Sequence, residues 1–307
     1  MENININKLR EIIIEELIDY DGEEPIKLPI DSELLNKLIF DNKKLCEELN
    51  DVITKIDFSD VNFEGFYAMK FDFTPYKGVK INPQTINCLA YSICNGVEFI
   101  GSFDGVNICG TNFKGSKNAK INPQTISLKK LSGTICEDVE FIGSFDGAYV
   151  IGANFKGSKN AKINPQTISF KNLNNTICSD VEFIGSFEDV YIKGTNFKGS
   201  KNAKINPQVI NKKDLSNTIC SDVEFIGSFE DVCIKGASFK GSKNAKIDPQ
   251  LISNKDLSNT ICSDVEFIGT FENVNTTKTD FDGCYNIESI SFEDKFKKNL
   301  RKLVKGQ

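Results

Sequence analysis

The chain of 307 residues is 26% charged and 39% hydrophobic with a net charge of −6, a balance that excludes a disordered or low-complexity polypeptide. Residues 1–60 carry 16 acids against 7 bases, a net of −9, which leaves 27 acids and 30 bases (43 − 16 and 37 − 7) for the remainder. That remainder lacks the positive excess of a nucleic-acid-binding array, and the absence of His removes the commonest general base and metal ligand.

The first residues, "MENININKLREIIIEELIDY", hold a short apolar run broken by Glu15 and Glu16 and lack a basic start, so no secretory signal is expected. Nowhere does the sequence approach the roughly 20 apolar residues of a membrane-spanning helix. Leu9, Ile13 and Leu17 fall at helical spacing within Asn7–Tyr20. Leu34, Leu38, Leu45 and Leu49 do the same in a second helix starting at Asp31–Ser32. Residues 1–50 therefore read as an N-terminal helical cap.

From residue 51 the character changes. "FKGSKNAKINPQTI" begins at Phe113 and Phe155 and returns nearly intact at Phe197 and Phe239. The Pro of this motif falls at Pro83, Pro123, Pro165, Pro207 and Pro249, in steps of 40, 42, 42 and 42. A segment copied this often is a structural unit that stacks on its copies, since a catalytic site is written once. Within one step the apolar residues are Ile163, Ile168, Leu173, Cys178, Phe183, Phe187, Ile192 and Phe197, spaced by five with one step of four. A helix repeats every 3.6 residues and a strand every two. A period of five predicts one inward side chain per short straight side, with a corner after each.

"TNFKG" (111–115 and 195–199), "ANFKG" (153–157) and "TDFDG" (279–283) repeat a small residue, an Asn or Asp, a Phe and two polar or small residues; "VEFIG" follows more loosely. Over roughly residues 51–283 the chain resembles the pentapeptide-repeat proteins. The resemblance implies an all-β solenoid, a right-handed quadrilateral β-helix with four five-residue sides per coil. Two coils then need 40 residues, minus one for the short side at "SFED", plus three for an inserted "SKN", which equals the observed 42.

Stacked coils lie about 4.8 Å apart. Cys178 is then predicted beneath Phe197, followed by Cys220 and Phe239, while Ile163 alternates with Phe183, Ile205 and Phe225. Two rows are predicted to point outward: Ile135, Ile177, Ile219 and Ile261, and Ile142, Ile184, Ile226 and Ile268. Gln166 and Lys171 stand where the family prefers small inward residues, so part of "INPQTISFKNL" is expected to leave the coil. Asn164 would be its N-cap and Pro165 its first helical residue. These protruding loops are expected to cover the isoleucine rows; the alternative is that the rows form a docking surface.

At the other end, residues 284–307 read as a C-terminal helix. Ser291 is its N-cap, and Phe292, Phe296, Leu300 and Leu303 share one face. It is a second helical cap, or the contact of a homodimer.

Cys94, Cys136, Cys178, Cys220 and Cys262 recur once per two coils, about 9.6 Å apart. Disulfides between them are excluded, and with no His or CxxC a metal site is not expected. Their role is that of small core residues kept as thiols, which points to a reducing cytoplasm. Lys162, Glu182, Lys204, Glu224, Lys246 and Glu266 form a predicted ladder of alternating charge. The pair Asp180 and Glu182 recurs at Asp138/Glu140, Asp222/Glu224 and Asp264/Glu266, so no pair is marked as catalytic. No cofactor motif is present, since the Gly-containing "FKGSK" lacks phosphate-loop spacing.

Lys117, Lys159, Lys201 and Lys243, in the repeated "SKN" insertion, are predicted to form a basic row and are the candidate interaction residues. The expected function is that of a non-enzymatic cytoplasmic protein-interaction scaffold with an unidentified protein partner. The alternative, which the resemblance implies, is protection or inhibition of bacterial DNA gyrase or a related topoisomerase by mimicry of DNA. Mimicry requires a continuous acidic face, whereas residues 163–204 hold five bases, Lys171, Lys193, Lys198, Lys201 and Lys204, against four acids.

Overall fold

The computed structural model describes residues 58–286, apart from 60–62, 65–67, 77 and 87. They divide into two units: 58–130 with 134–142, and 131–133 with 143–286. The predicted helices of residues 1–50 and the C-terminal helix with its dimer contact lie outside the described residues, apart from Cys284, Tyr285 and Asn286.

Both units are built from very short parallel strands one coil apart. In the first, β1 (Lys80–Ile81) pairs with β2 (Glu98–Phe99), and β3 (Lys120–Ile121) with β4 (Glu140–Phe141). In the second, β5 (Lys162–Ile163) pairs with β6 (Glu182–Phe183), β7 (Lys204–Ile205) with β8 (Glu224–Phe225), and β9 (Ala245–Ile247) with β10 (Val265–Phe267). Each sheet has two strands, and isolated parallel bridges extend the pairing to the other sides. The bridge Asn154↔Ile177 is followed by Ile177↔Asn196, Asn196↔Ile219, Ile219↔Ser238 and Ser238↔Ile261. These advance by 23, 19, 23, 19 and 23 residues, so two coils take 42. The three-residue excess sits at "SKN": Lys201 bridges Glu182 in one coil, and Lys204 starts the next strand.

Local chemistry explains the five-residue side. The carbonyl of each central residue accepts the N–H of the residue three further on, as in Val181→Cys178, Thr195→Ile192 and Ser200→Phe197. The third residue of each turn has positive φ: 64° at Asp180, 69° at Gly194 and 84° at Gly199. Such turns select Gly, Asn or Asp, and the sequence supplies one of these at most corners.

The columns follow. In the second unit the bridges set Phe155, Cys178, Phe197, Cys220, Phe239, Cys262 and Phe281 in succession. In the first they set Phe73, Cys94, Phe113 and Cys136. All are buried, and large residues alternate with small ones as close packing demands. Phe183, Phe187 and Phe197 pack as a triad at 5.0–5.7 Å between ring centroids, a geometry repeated by Phe225, Phe229 and Phe239. Beside the column, the hydroxyls of Thr176, Thr195, Thr218 and Thr260 donate to core-facing carbonyls at 2.7–3.1 Å. Ile163 lies beside Phe183 and Ile205 beside Phe225, as predicted.

The expectation of protruding loops is corrected. "INPQT" stays in the wall: Gly147 N–H donates to Thr167 O at 2.7 Å and Asp189 N–H to Val209 O at 2.7 Å. Asn164 Oδ1 accepts from Gln166 N–H at 3.0 Å, closing a turn rather than starting a helix. The first copy forms a single helical turn at Pro83–Thr85 with Asn82 as N-cap. In the later copies the 3-10 turn comes after the Asn–Pro or Asp–Pro pair, at Ser127–Lys129, Ser169–Lys171, Asn211–Lys213 and Ser253–Lys255, without a side-chain cap. The misleading residue was Gln166. Its amide donates to Ser186 O at 3.2 Å and Glu188 O at 2.6 Å, carbonyls of the four-residue side in the next coil. Gln208 and Gln250 do the same. A long polar side chain thus satisfies the short side's backbone. Lys171 is half-buried and reaches Asp189 at 3.9 Å.

Candidate interaction surface

With the loops in the wall, the isoleucine rows stand uncovered. Ile184 and Ile226 are each 59% exposed and Ile268 is 60% exposed in the second unit; Ile100 and Ile142 match them in the first. The other row, which includes Ile219 and Ile261, is about one-third exposed. The glycine after each isoleucine of the first row is fixed by packing. A Cβ on Gly185 or Gly227 would fall 2.1 Å from Asn164 Oδ1 or Asn206 Oδ1 in the coil beneath. Gly and Asn are therefore structural, whereas the isoleucine between them touches water.

Beside that row on the same sides runs the charged ladder. Lys120–Glu140 at 3.7 Å belongs to the first unit. In the second, Lys162–Glu182, Lys204–Glu224 and Lys246–Glu266 pair at 3.2, 3.1 and 3.0 Å. All are surface pairs, each contributing about 0.2–1 kcal/mol. The predicted basic row joins this ladder through its backbone: Lys117 bridges Glu98, Lys201 bridges Glu182 and Lys243 bridges Glu224. Lys117, Lys159, Lys201 and Lys243 are all exposed, and none takes part in an ion pair among the described residues. The structure thus brings Lys201 and Lys243 onto the sides that carry Ile184 and Ile226.

The recurring carboxylates are structural. Asp138 accepts Gly115 N–H at 2.8 Å, and Asp180, Asp222 and Asp264 accept Gly157, Gly199 and Gly241 N–H at 2.8, 2.8 and 2.7 Å. Each staples a corner to the preceding coil, as a charge-assisted bond suits. Burial pushes the thiols of Cys94, Cys136, Cys178, Cys220 and Cys262 far above their ordinary range, and raises half-buried Cys284 to about 11. Every described cysteine is a free thiol, and the described residues contain no cluster of three metal-ligating groups. None of their helices is long and apolar enough to cross a membrane.

An advance of 40 and then 42 residues per two coils, with one buried central residue per five-residue side, decides the architecture. This is a parallel β-solenoid with five-residue sides, the architecture that the resemblance to the pentapeptide-repeat proteins implies. No family model and no curated protein matches the sequence. Among solved structures, a trypsin-treated variant of QnrB1, described as a plasmid-mediated fluoroquinolone resistance protein, matches at 12% identity and a TM-score of 0.30. That match covers 72% of this chain and 94% of the other. Full-length QnrB1 matches at 10% identity and 0.27, covering 69% and 92%, and a second trypsin-treated variant at 14% and 0.21, covering 73% and 93%.

Sequence reasoning missed one feature of the solenoid wall. Asn174, Tyr191, Ile192, Lys193, Asn211, Lys212 and Asp214 line an open hollow of about 200 Å³. Lys212 Nζ lies 5.9 Å from the Tyr191 ring centroid, and Lys193 pairs with Asp214 at 3.6 Å. The hollow sits where the copies differ: Tyr191 is replaced by Cys233, and Lys212 by Phe170 or Asn254. Departure from the repeat was the signal that could have found it.

Proposed function

We propose that this pentapeptide-repeat chain is a non-catalytic protein-binding scaffold. One observation carries the reading. The recurring Asp and ladder Glu side chains are engaged within the coils, while isoleucines and lysines with no packing role line up on the exterior. The Asp staples, the Glu ladder and the protonated thiol column leave the repeated exterior for recognition, which suits a wall of stacked repeats. A cytoplasmic setting agrees with the free thiols. A right-handed winding, the repeat boundaries at 51 and 283, and helical caps over 1–50 and 284–307 belong to the same reading.

The finer reading makes the partner DNA gyrase or a related topoisomerase, and its support is the resemblance to the pentapeptide-repeat family. Within that reading the contact is not simple charge mimicry, because each ladder Glu faces a Lys. Supercoiling by purified gyrase, with and without a fluoroquinolone, tests it. Protection of activity at stoichiometric protein is the expected result. Unchanged supercoiling and unchanged inhibition would remove the topoisomerase and leave the scaffold, which affinity capture with the full chain then tests.

A further inference from the structure

The internal copies provide a control for which exposed residues matter. Exposed positions on one side of the coil have drifted: Leu128, Phe170, Lys212 and Asn254 are equivalent, as are Thr167, Val209 and Leu251. Leu128 and Phe170 are 70% and 72% exposed. The copies have therefore diverged on this side even where side chains touch, as Phe170 does Tyr149 and Lys212 does Tyr191. Ile100, Ile142, Ile184, Ile226 and Ile268 have not diverged, although about three-fifths of each is exposed. Lys117, Lys159, Lys201 and Lys243 are likewise the same, giving way only to Tyr285 in the next copy, and none of the four takes part in an ion pair among the described residues. Packing accounts for the neighbouring Gly and Asn, but not for these isoleucines and lysines.

From this contrast we infer that the strip formed by Ile184, Ile226 and Ile268 with Lys159, Lys201 and Lys243 docks an acidic amphipathic helix of a partner protein, laid along the stacking direction. The inference deepens the scaffold reading and rests on it. Three features of the strip set the chemistry of the occupant. The isoleucines recur every second coil, about 9.6 Å, and seven residues of an α-helix rise about 10.5 Å. An apolar residue once per heptad therefore keeps step with the row for two to three heptads. Between successive isoleucines stands a shorter Asn or Asp, Asn206 or Asp248, whose Oδ1 packs over Gly227 or Gly269, so the row alternates a protruding apolar side chain with a short polar one. The lysines beside the row select carboxylates at the flanking helix positions, and the ladder glutamates, already paired with Lys162, Lys204 and Lys246, repel few of them.

The probes are fluorescein-labelled helical peptides of about three heptads: one with Leu once per heptad and Glu flanking it, one with Lys in place of Glu, and one of the acidic composition with its spacing shuffled. Anisotropy with the full chain should show the acidic heptad peptide binding at least about tenfold more tightly than the other two. That preference should disappear in Ile184→Asn/Ile226→Asn/Ile268→Asn and in Lys159→Glu/Lys201→Glu/Lys243→Glu, with circular dichroism unchanged. Absence of binding, equal binding of the shuffled or basic peptide, or a preference that survives both variants would overturn the inference. So would an isoleucine-dependent dimer in sedimentation, which would make a second copy the occupant. A partner captured by the full chain and indifferent to both variants would leave the scaffold standing while removing the helix.

Discussion

Two exposed regions of the same coils behave differently. Along one side, Tyr191 gives way to Cys233 and Asn275, and Phe170 to Lys212 and Asn254; along another, Ile184, Ile226 and Ile268 never change. Phe170 and the isoleucines are alike in water, so burial does not separate those positions. The drifting side includes a conformationally costly corner, where Phe170 and Lys171 have φ of 53° and 47° and Lys212 and Lys213 have 55° and 46°. Side chains there are free to differ because their backbone is held from beneath. Sameness among copies therefore has two origins: a residue the coil requires, and a residue the coil does not require but something outside does.

The largest test of that division is Phe197→Ala. Phe197 is fully buried and completes a triad with Phe183 and Phe187, so chemical denaturation should show a loss of about 3–5 kcal/mol. A loss below about 1 kcal/mol would mean that the column does not set the repeat.

Next comes alkaline pH. The folded thiols of Cys136, Cys178 and Cys220 are held far above the ordinary value, which is near 8.5. Their contribution is intact below that value and declines as pH rises above it, because only the unfolded chain then releases protons. Each such thiol should cost about 1.4 kcal/mol per pH unit above about pH 9. Replacing Cys220 with Ala should make the decline of stability with pH shallower.

Gly227→Ala is smaller, about 1–3 kcal/mol, because its Cβ would collide with Asn206 Oδ1. Adding Asn206→Gly should recover the part due to the clash; thermal melts of the single and double variants compare them.

The smallest effects decide the comparison itself. Ile226→Asn and Phe170→Asn should each change stability by no more than about 0.5–1 kcal/mol, with Phe170→Asn tending to stabilise because Asn tolerates positive φ. If Ile226→Asn destabilised the chain like a core substitution, its constancy would be a folding requirement and the two regions would differ only in packing.

Much of this wall was legible beforehand. Cys178 beneath Phe197, the Lys162–Glu182 rung and the outward isoleucines all follow from a period of five and a block of 42. In the sequence alone, Gln166 is a reason for the chain to leave the coil. Its use became visible only when the carbonyls of Ser186 and Glu188 lay above it. The hollow beside Tyr191 was likewise invisible, since it depends on which unlike residues meet across neighbouring coils.

The sequence by itself determined the side length, the corner positions and which residues share a column, because those depend on local turn conformations repeated at a fixed interval. Tertiary structure alone decided that "INPQ" lies in the wall, that Gln166 satisfies a shortened side, and that the isoleucines remain in water. Those outcomes depend on groups about 20 residues apart in the chain meeting across one coil, and single-residue preferences carry no information about such a meeting.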